Sequence, residues 1–269
     1  MSAARTPHRP SLAPATRPGV RRLAATPPNA PALTPISLAM CLLVATPLSF
    51  ALPTGPVNTS GQATVQTTAP GQMLIQQSTT KAGLDWTSFS IAAGERVQVV
   101  QPDRSSVLLN RVLGENPSLI YGALQSNGAV WLINPRGIVF GANSRVDVGS
   151  LVASTLGIND DALQSGRLQL AAGAGGAGEL RSEGSITAID GSVVLVAPQL
   201  LHSGQIEARR VGLAAASEVL VDVEGDGLIF FNVKNEALDT RLQVLGGVRA
   251  DGGSAEFRAA ARAGLPTPC

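Results

Sequence analysis

Gly184-Ser185-Ile186-Thr187-Ala188 is echoed 20 residues later by Gly204-Gln205-Ile206-Glu207-Ala208, and 42 residues after that by Gly246-Gly247-Val248-Arg249-Ala250. No other feature of the chain restricts its fold as much. A unit of about 20 residues holding strand and turn is too short for a propeller blade. It suits one coil of a parallel β-helix, in which a coil buries its apolar face only by stacking on its neighbours. The wider second interval is close to two periods, so a degenerate copy is expected to start at Gly225.

From Leu52 onward, short runs of Val, Ile and Leu alternate with turns built on Gly, Asn, Asp and Ser, the pattern of an all-β protein. Strands are expected at 63–68, 73–77, 86–91, 97–101, 107–112, 120–124, 130–133, 138–140, 146–152 and 168–171. Further ones are expected at 186–188, 193–196, 211–214, 219–223 and 229–233, with 52–70 an extended entry segment. In the run NGAVWLINPRGIVFGAN (127–143), Asn134-Pro135-Arg136-Gly137 fits a type I turn. Asn is favoured at its first position, Pro at its second and Gly at its fourth. This corner would turn a coil or close a short hairpin. Aromatic residues make up 3% of the chain, which suits a narrow core of small aliphatics. Trp86, Trp131 and Phe140 all fall early and are expected to mark an N-terminal cap.

The first fifth of the chain differs from the rest. Up to Ala51 there are Arg5, Arg9, Arg17, Arg21 and Arg22, no acid, and an apolar stretch from 36 to 48 followed by Ser49-Phe50-Ala51. A basic region, an apolar region and a small-x-small site, in that order, read as a signal peptide at 1–51. The apolar part falls short of the roughly 20 residues of a membrane-spanning helix. Removing the five arginines takes the formal charge from +1 to −4, so no basic domain remains for nucleic acid. Cys41 would leave with the signal and Cys269 is the last residue, so an internal disulfide in the mature chain is not expected. The β-helix is expected at 52–260 and a short basic tail at 261–269, a possible truncation point.

Candidate chemistry is sparse. Gly173-Ala174-Gly175-Gly176-Ala177-Gly178 spells a dinucleotide fingerprint, but that motif needs a helix after it. The residues that follow lead back into the repeats, so a plain loop is expected. Asp222, Glu224 and Asp226 share a face, yet calcium would need more oxygen ligands, and Asp160-Asp161 reads as solvated. His202 is the one histidine past the signal, and it is expected at a coil edge as a surface or turn residue. That scarcity leaves no His/Cys zinc set, no metal site and no second base for a Ser-His-acid triad. A polysaccharide lyase or glycosidase would have to work with Asp, Lys and Arg, and Lys81 and Lys234 are the only lysines.

The ordered blocks Trp86-Thr87-Ser88-Phe89-Ser90-Ile91, Val99-Val100-Gln101-Pro102 and Leu109-Asn110-Arg111-Val112 resemble the N-terminal secretion domain of filamentous haemagglutinin-like exoproteins. The likeness continues through Asn116-Pro117-Ser118-Leu119-Ile120-Tyr121-Gly122, Asn127-Gly128, Asn134-Pro135-Arg136-Gly137-Ile138 and Gly149-Ser150-Leu151-Val152-Ala153-Ser154-Thr155. It covers most of 70–260. The resemblance implies a right-handed parallel β-helix with an N-terminal cap and short extra-helical β elements. It also implies a partner: a cognate outer-membrane β-barrel transporter with periplasmic domains. The family's Asn-Pro-Asn-Gly-Ile motif falls on 134–138, where Arg136 replaces the second Asn. Its Asn-Pro-Asn-Leu motif falls on 116–119, where Ser118 does. By the same resemblance these turns matter for folding or export.

The expected function is that of a two-partner secretion exoprotein, exported through the periplasm and secreted or held on the cell surface. It would be monomeric, need no cofactor, catalyse nothing, and serve adhesion or haemagglutination through a host-cell or glycan receptor. Three rivals stand beside it: a secreted polysaccharide-active β-helix enzyme, a truncated remnant of a larger adhesin or toxin carrier, and a haemophore of the same export family. With one histidine past the signal and no Met after 73, axial haem ligands are few.

Overall fold

The computed structural model describes residues 51–158, 163, 167–173, 177–222, 230–233, 240–251 and 253–259, with only the backbone at 222 and 230–233. The signal segment 1–50, Asp160, Asp161, 174–176, Glu224, Gly225, Asp226, Lys234 and the tail 261–269 lie outside those residues.

Strands β1 (Val57–Ser60) and β2 (Ala63–Ala69) come first, and coils follow. The first coil holds β3 (Gln72–Gln77) and β4 (Lys81–Trp86); the second, β5 (Arg96–Val100), β6 (Val107–Val112) and β7 (Ser118–Ile120). The third holds β8 (Ala123–Ser126), β9 (Ala129–Ile133) and β10 (Ile138–Phe140). In the fourth, β11 (Arg145–Asp147) and β12 (Ser150–Ser154) are followed by an excursion, β13 (Gly157–Ile158) and β14 (Arg167–Ala171), before β15 (Leu180–Ser182). The fifth is β16 (Ser185–Ala197) and β17 (Gln199–His202). The sixth begins with β18 (Gln205–Ala215), departs through β19 (Glu218–Asp222) and β20 (Phe230–Val233), and returns at β21 (Arg241–Val244). β22 (Gly247–Ala250) and β23 (Ala255–Ala259) begin a seventh.

Parallel pairing between successive coils produces three faces. The first stacks β3, β5, β8, β11, the first half of β16, the first half of β18, and β22. The second stacks β4, β6, β9, β12, the later halves of β16 and β18, and β23. The third is β7, β10, β15, β17 and β21. At the N-terminal end β1 lies antiparallel on β4 and β2 antiparallel on β3, so both leading edges are paired. That is the cap a solenoid needs against edge-to-edge association.

Alternation explains the core. Met73, Val97, Leu124, Val146, Ile186 and Ile206 stand in register on the first face and point inward, each buried. Burying such a side chain contributes about 1.5–3 kcal/mol, and the stack obtains that from one Met and five aliphatic residues, with no aromatic ring. The repeat read from the sequence is this ladder: Ile186 pairs with Ile206 and Ala188 with Ala208.

Several expectations are corrected. The copy at 246–250 stacks directly on the copy at 204–208, Ile206 against Val248, so no coil intervenes between them, and the copy expected from Gly225 falls on a residue outside those described. The extra residues leave the helix and build a separate antiparallel sheet, β13-β14-β19-β20. A strand expected at 86–91 lies instead at β4, because Trp86 ends the strand and the chain then turns a corner. The runs 120–124 and 146–152 each break in two, at Tyr121-Gly122 and at Val148-Gly149, since a coil must turn there. The early aromatics do not build the cap. Trp86 and Phe140 lie inside the helix core, with Trp86 edge-on to Phe89 at 5.4 Å, whereas Trp131 points outward from the second face into a second apolar cluster.

Candidate functional site

The two Asn-Pro corners, far enough apart in sequence to look independent, meet in space. β7 and β10 pair with Ser118 opposite Ile138 and Leu119 opposite Val139, so 116–119 and 134–138 are one corner of two successive coils. The Asn134 carbonyl accepts the Gly137 N–H at 3.1 Å, closing the turn read from the sequence. The Asn134 side chain is fully buried and does three things. Its Oδ1 accepts the Arg136 N–H at 2.9 Å, and its Nδ2 donates to the Asn116 carbonyl at 3.1 Å and to Ser118 Oγ at 2.9 Å. One amide therefore shapes its own turn and fastens the neighbouring one.

Gly137 has φ of +125°, a region that side chains avoid, which is why glycine occupies the fourth turn position. Its carbonyl accepts the Ser118 N–H at 2.9 Å. On the other side Gly178 N–H donates to the Pro135 carbonyl at 2.8 Å, and a Cβ on Gly178 would strike the Arg136 backbone. The last glycine of the apparent dinucleotide fingerprint is thus a packing residue of this corner. A strand, β15, follows it where a nucleotide site would need a helix.

Arg136 and Ser118, the two departures from the family motif, have definable places. Ser118 Oγ is buried and receives the Asn134 amide. Arg136 lies on the surface, where its guanidinium pairs with Glu115 at 2.5 Å, from one corner to the other. Pro117 and Pro135 set the entry to each turn, Leu119 is the middle residue of β7, and Ile138 begins β10.

His202 is not a surface residue. It points inward from β17 and is fully buried, stacked beyond Ser182. Its Nδ1 lies 3.2 Å from Ser182 Oγ and its Nε2 3.2 Å from the Gly247 carbonyl. Burial depresses its pKa below the usual 6.5, with the two hydrogen bonds opposing. Sequence reasoning missed this because Leu-Leu-His-Ser gives no sign of which alternate position faces in.

Among the described residues no three His, Cys, Asp or Glu side chains gather as a metal site would require. A cavity of about 290 Å³ opens beside the second face, with Lys81, Arg104 and Arg210 around a floor of Trp131, Val152 and Val194. Its described lining holds no carboxylate, whereas glycosidic cleavage ordinarily uses a pair of them.

These features define an all-β solenoid with a capped end and a glycine-closed Asn-Pro corner. The TPS secretion domain model matches residues 49–261, and the chain belongs to that family. It is the secretion domain of a two-partner secretion exoprotein. Two heme/hemopexin-binding proteins of Haemophilus influenzae are similar to it. One is 40% identical over 104 residues, 39% of this chain, and the other 39% identical over 95 residues, 35% of this chain. The aligned stretches span 11% and 10% of those curated relatives' length. The HMW1 secretion domain from the same species superposes with a TM-score of 0.71 at 29% identity, covering 77% of this chain and 56% of that one. A filamentous hemagglutinin secretion domain aligns at 0.47 and 14% identity, over 78% of this chain and 80% of that one, too distant to add weight. Exoproteins of this family pass through the periplasm to the cell surface or the medium, and that is the localisation of this chain.

Proposed function

We propose that the β-helix is the export module of a surface or secreted adhesin, read in the periplasm by a cognate outer-membrane β-barrel transporter. Residues 1–51 act as its signal peptide, 52–260 form the module, and the chain works as a non-enzymatic monomer. The observation that carries the reading is the joined corner at 116–119 and 134–138, fastened by Asn134 and closed by Gly137. It acts mainly by fixing the coils, and through them the surface offered to the transporter. A host-cell or glycan receptor is the expected target of the exported protein.

Coil-by-coil stacking suits export without ATP, because each coil needs only its neighbour to settle. The test is to measure secretion and urea stability of Asn134→Ala and Gly137→Ala side by side. Both quantities should fall together. Normal secretion of both variants would refute a role for this corner in export.

The names of the two relatives favour a second reading, in which the exported protein handles haem or hemopexin. Titrating haem into the purified chain decides for this segment: a saturable Soret shift supports it. None is expected from the β-helix itself, since His202 is fully buried.

A further inference from the structure

We infer that the antiparallel sheet β13-β14-β19-β20 is a strap that closes over the second face after the coils have formed and opens independently of them. The second face lacks the in-out alternation of the first because both of its sides are buried. Outward from it point Leu109, Trp131, Val152 and Val194, in register across four coils. They are at most 8% exposed and belong to a cluster separate from the helix core. Their cover comes from Leu168 and Leu170 of β14 and Val219 and Val221 of β19, all fully buried.

The strap and the coils differ in how their strands are joined. Neighbouring coil strands pair at intervals near 20 residues where no excursion intervenes, as Leu180 with Leu200 and Ile186 with Ile206, and at about 42 where one does, as Val152 with Val194 and Ile206 with Val248. β14 pairs with β19 antiparallel from Ala171↔Glu218 to Arg167↔Asp222, across a longer stretch of chain than either kind of coil pair. Closing a longer loop costs more entropy before any contact returns it. β14's other partner, β13, supplies only two residues, Gly157 and Ile158. Without β19, therefore, β14 has little to hold it, and the Leu109–Trp131–Val152–Val194 column faces water. That column is a contiguous apolar surface, which a folded chain must cover or else lose to association. The strap-open chain is thus a distinct state, folded in its coils and adhesive along one side.

Hydrogen exchange of the full chain, read by peptide mass spectrometry, tests this without any mutation. Amides of β14 and β19 should exchange about tenfold or more faster than those of β9 and β12, as a separate opening unit does. Equal rates would mean that strap and helix open as one unit, and would overturn the inference. A second readout uses the two tryptophans, fluorine-labelled and resolved by NMR. Leu220→Pro removes a β19 donor and should move the Trp131 resonance toward its solvent-exposed position while Trp86 stays put. Movement of both, or of neither, would contradict a strap that opens by itself.

Discussion

Replacing Asn134 by Asp isolates what the buried amide does. The change alters one atom. Oδ1 can still accept the Arg136 N–H at 2.9 Å, but the Nδ2 position becomes an oxygen 3.1 Å from the Asn116 carbonyl and 2.9 Å from Ser118 Oγ. The serine hydroxyl can rotate and donate; the carbonyl cannot. One hydrogen bond becomes a contact between two acceptors, and a charge enters a site with no solvent exposure. A lost hydrogen bond costs about 0.5–1.5 kcal/mol, and a buried acceptor facing another adds about 1–3. We expect Asn134→Asp to lose about 2–4 kcal/mol at pH 7, and to recover part of it in acid, where the protonated carboxyl donates again. Asn134→Ala loses all three bonds and should cost a similar amount, without pH dependence at this site. Urea unfolding followed by far-UV circular dichroism, at pH 7 and at pH 4, measures both. A loss under 0.5 kcal/mol for Asp at pH 7, or no difference between the pH profiles of Asp and Ala, would refute the assignment of the amide as the fastener of two corners.

Gly137→Ala forces a side chain into φ of +125° and should cost about 1–3 kcal/mol; a neutral result by the same unfolding assay contradicts the turn geometry. Gly191→Ala places a Cβ on the Gly149 carbonyl where two coils turn, so it should lower soluble yield and the urea midpoint more than Gly94→Ala, where the space is open although φ is +84°. Burial of His202 holds its folded pKa below 6.5, so the unfolded chain binds the extra proton. Its contribution to stability is therefore complete above pH 6.5 and is lost as pH falls from there through the lower folded value. The urea midpoint of wild type should drop between pH 7.5 and 5.5 more than that of His202→Gln, and parallel curves would show the ring to be accessible. Arg111 grips Asp85 through two hydrogen bonds of 2.8 and 2.9 Å across β4 and β6, partly buried. Asp85→Asn should cost about 1–2 kcal/mol, as expected for a hydrogen-bonded charge pair, and stability unchanged in low salt would argue against it.

How far the sequence could be read depended on whether a residue's surroundings were local. The ladder Ile186–Ile206–Val248 was legible because a parallel β-helix repeats the same environment at each coil, and β6 and β10 fell within their expected bounds for the same reason. The turn at 134–137 was legible from Pro135 and Gly137, whose backbone preferences are their own. What could not be read, even where the strand itself was expected, depended on distant partners. Val193-Val194-Leu195-Val196 is apolar throughout because the strap covers its outer side, and nothing local distinguishes that from an ordinary core strand. β15 and β17 are short and carry Arg181, Ser182 and His202, so they resemble loops until the coils above and below are in place. Likewise the meeting of Asn134 with Asn116 and Ser118 exists only once the register of β7 against β10 is fixed.

Transporter dependence of export tests the central claim most directly. The tagged full chain would be expressed with and without a co-expressed two-partner secretion outer-membrane transporter, and the medium, surface and periplasm assayed for folded protein. Appearance in the medium or on the surface only when the transporter is present is the predicted result. Retention in the periplasm with the transporter present, or equal release without it, would contradict the assignment of this β-helix as an export module.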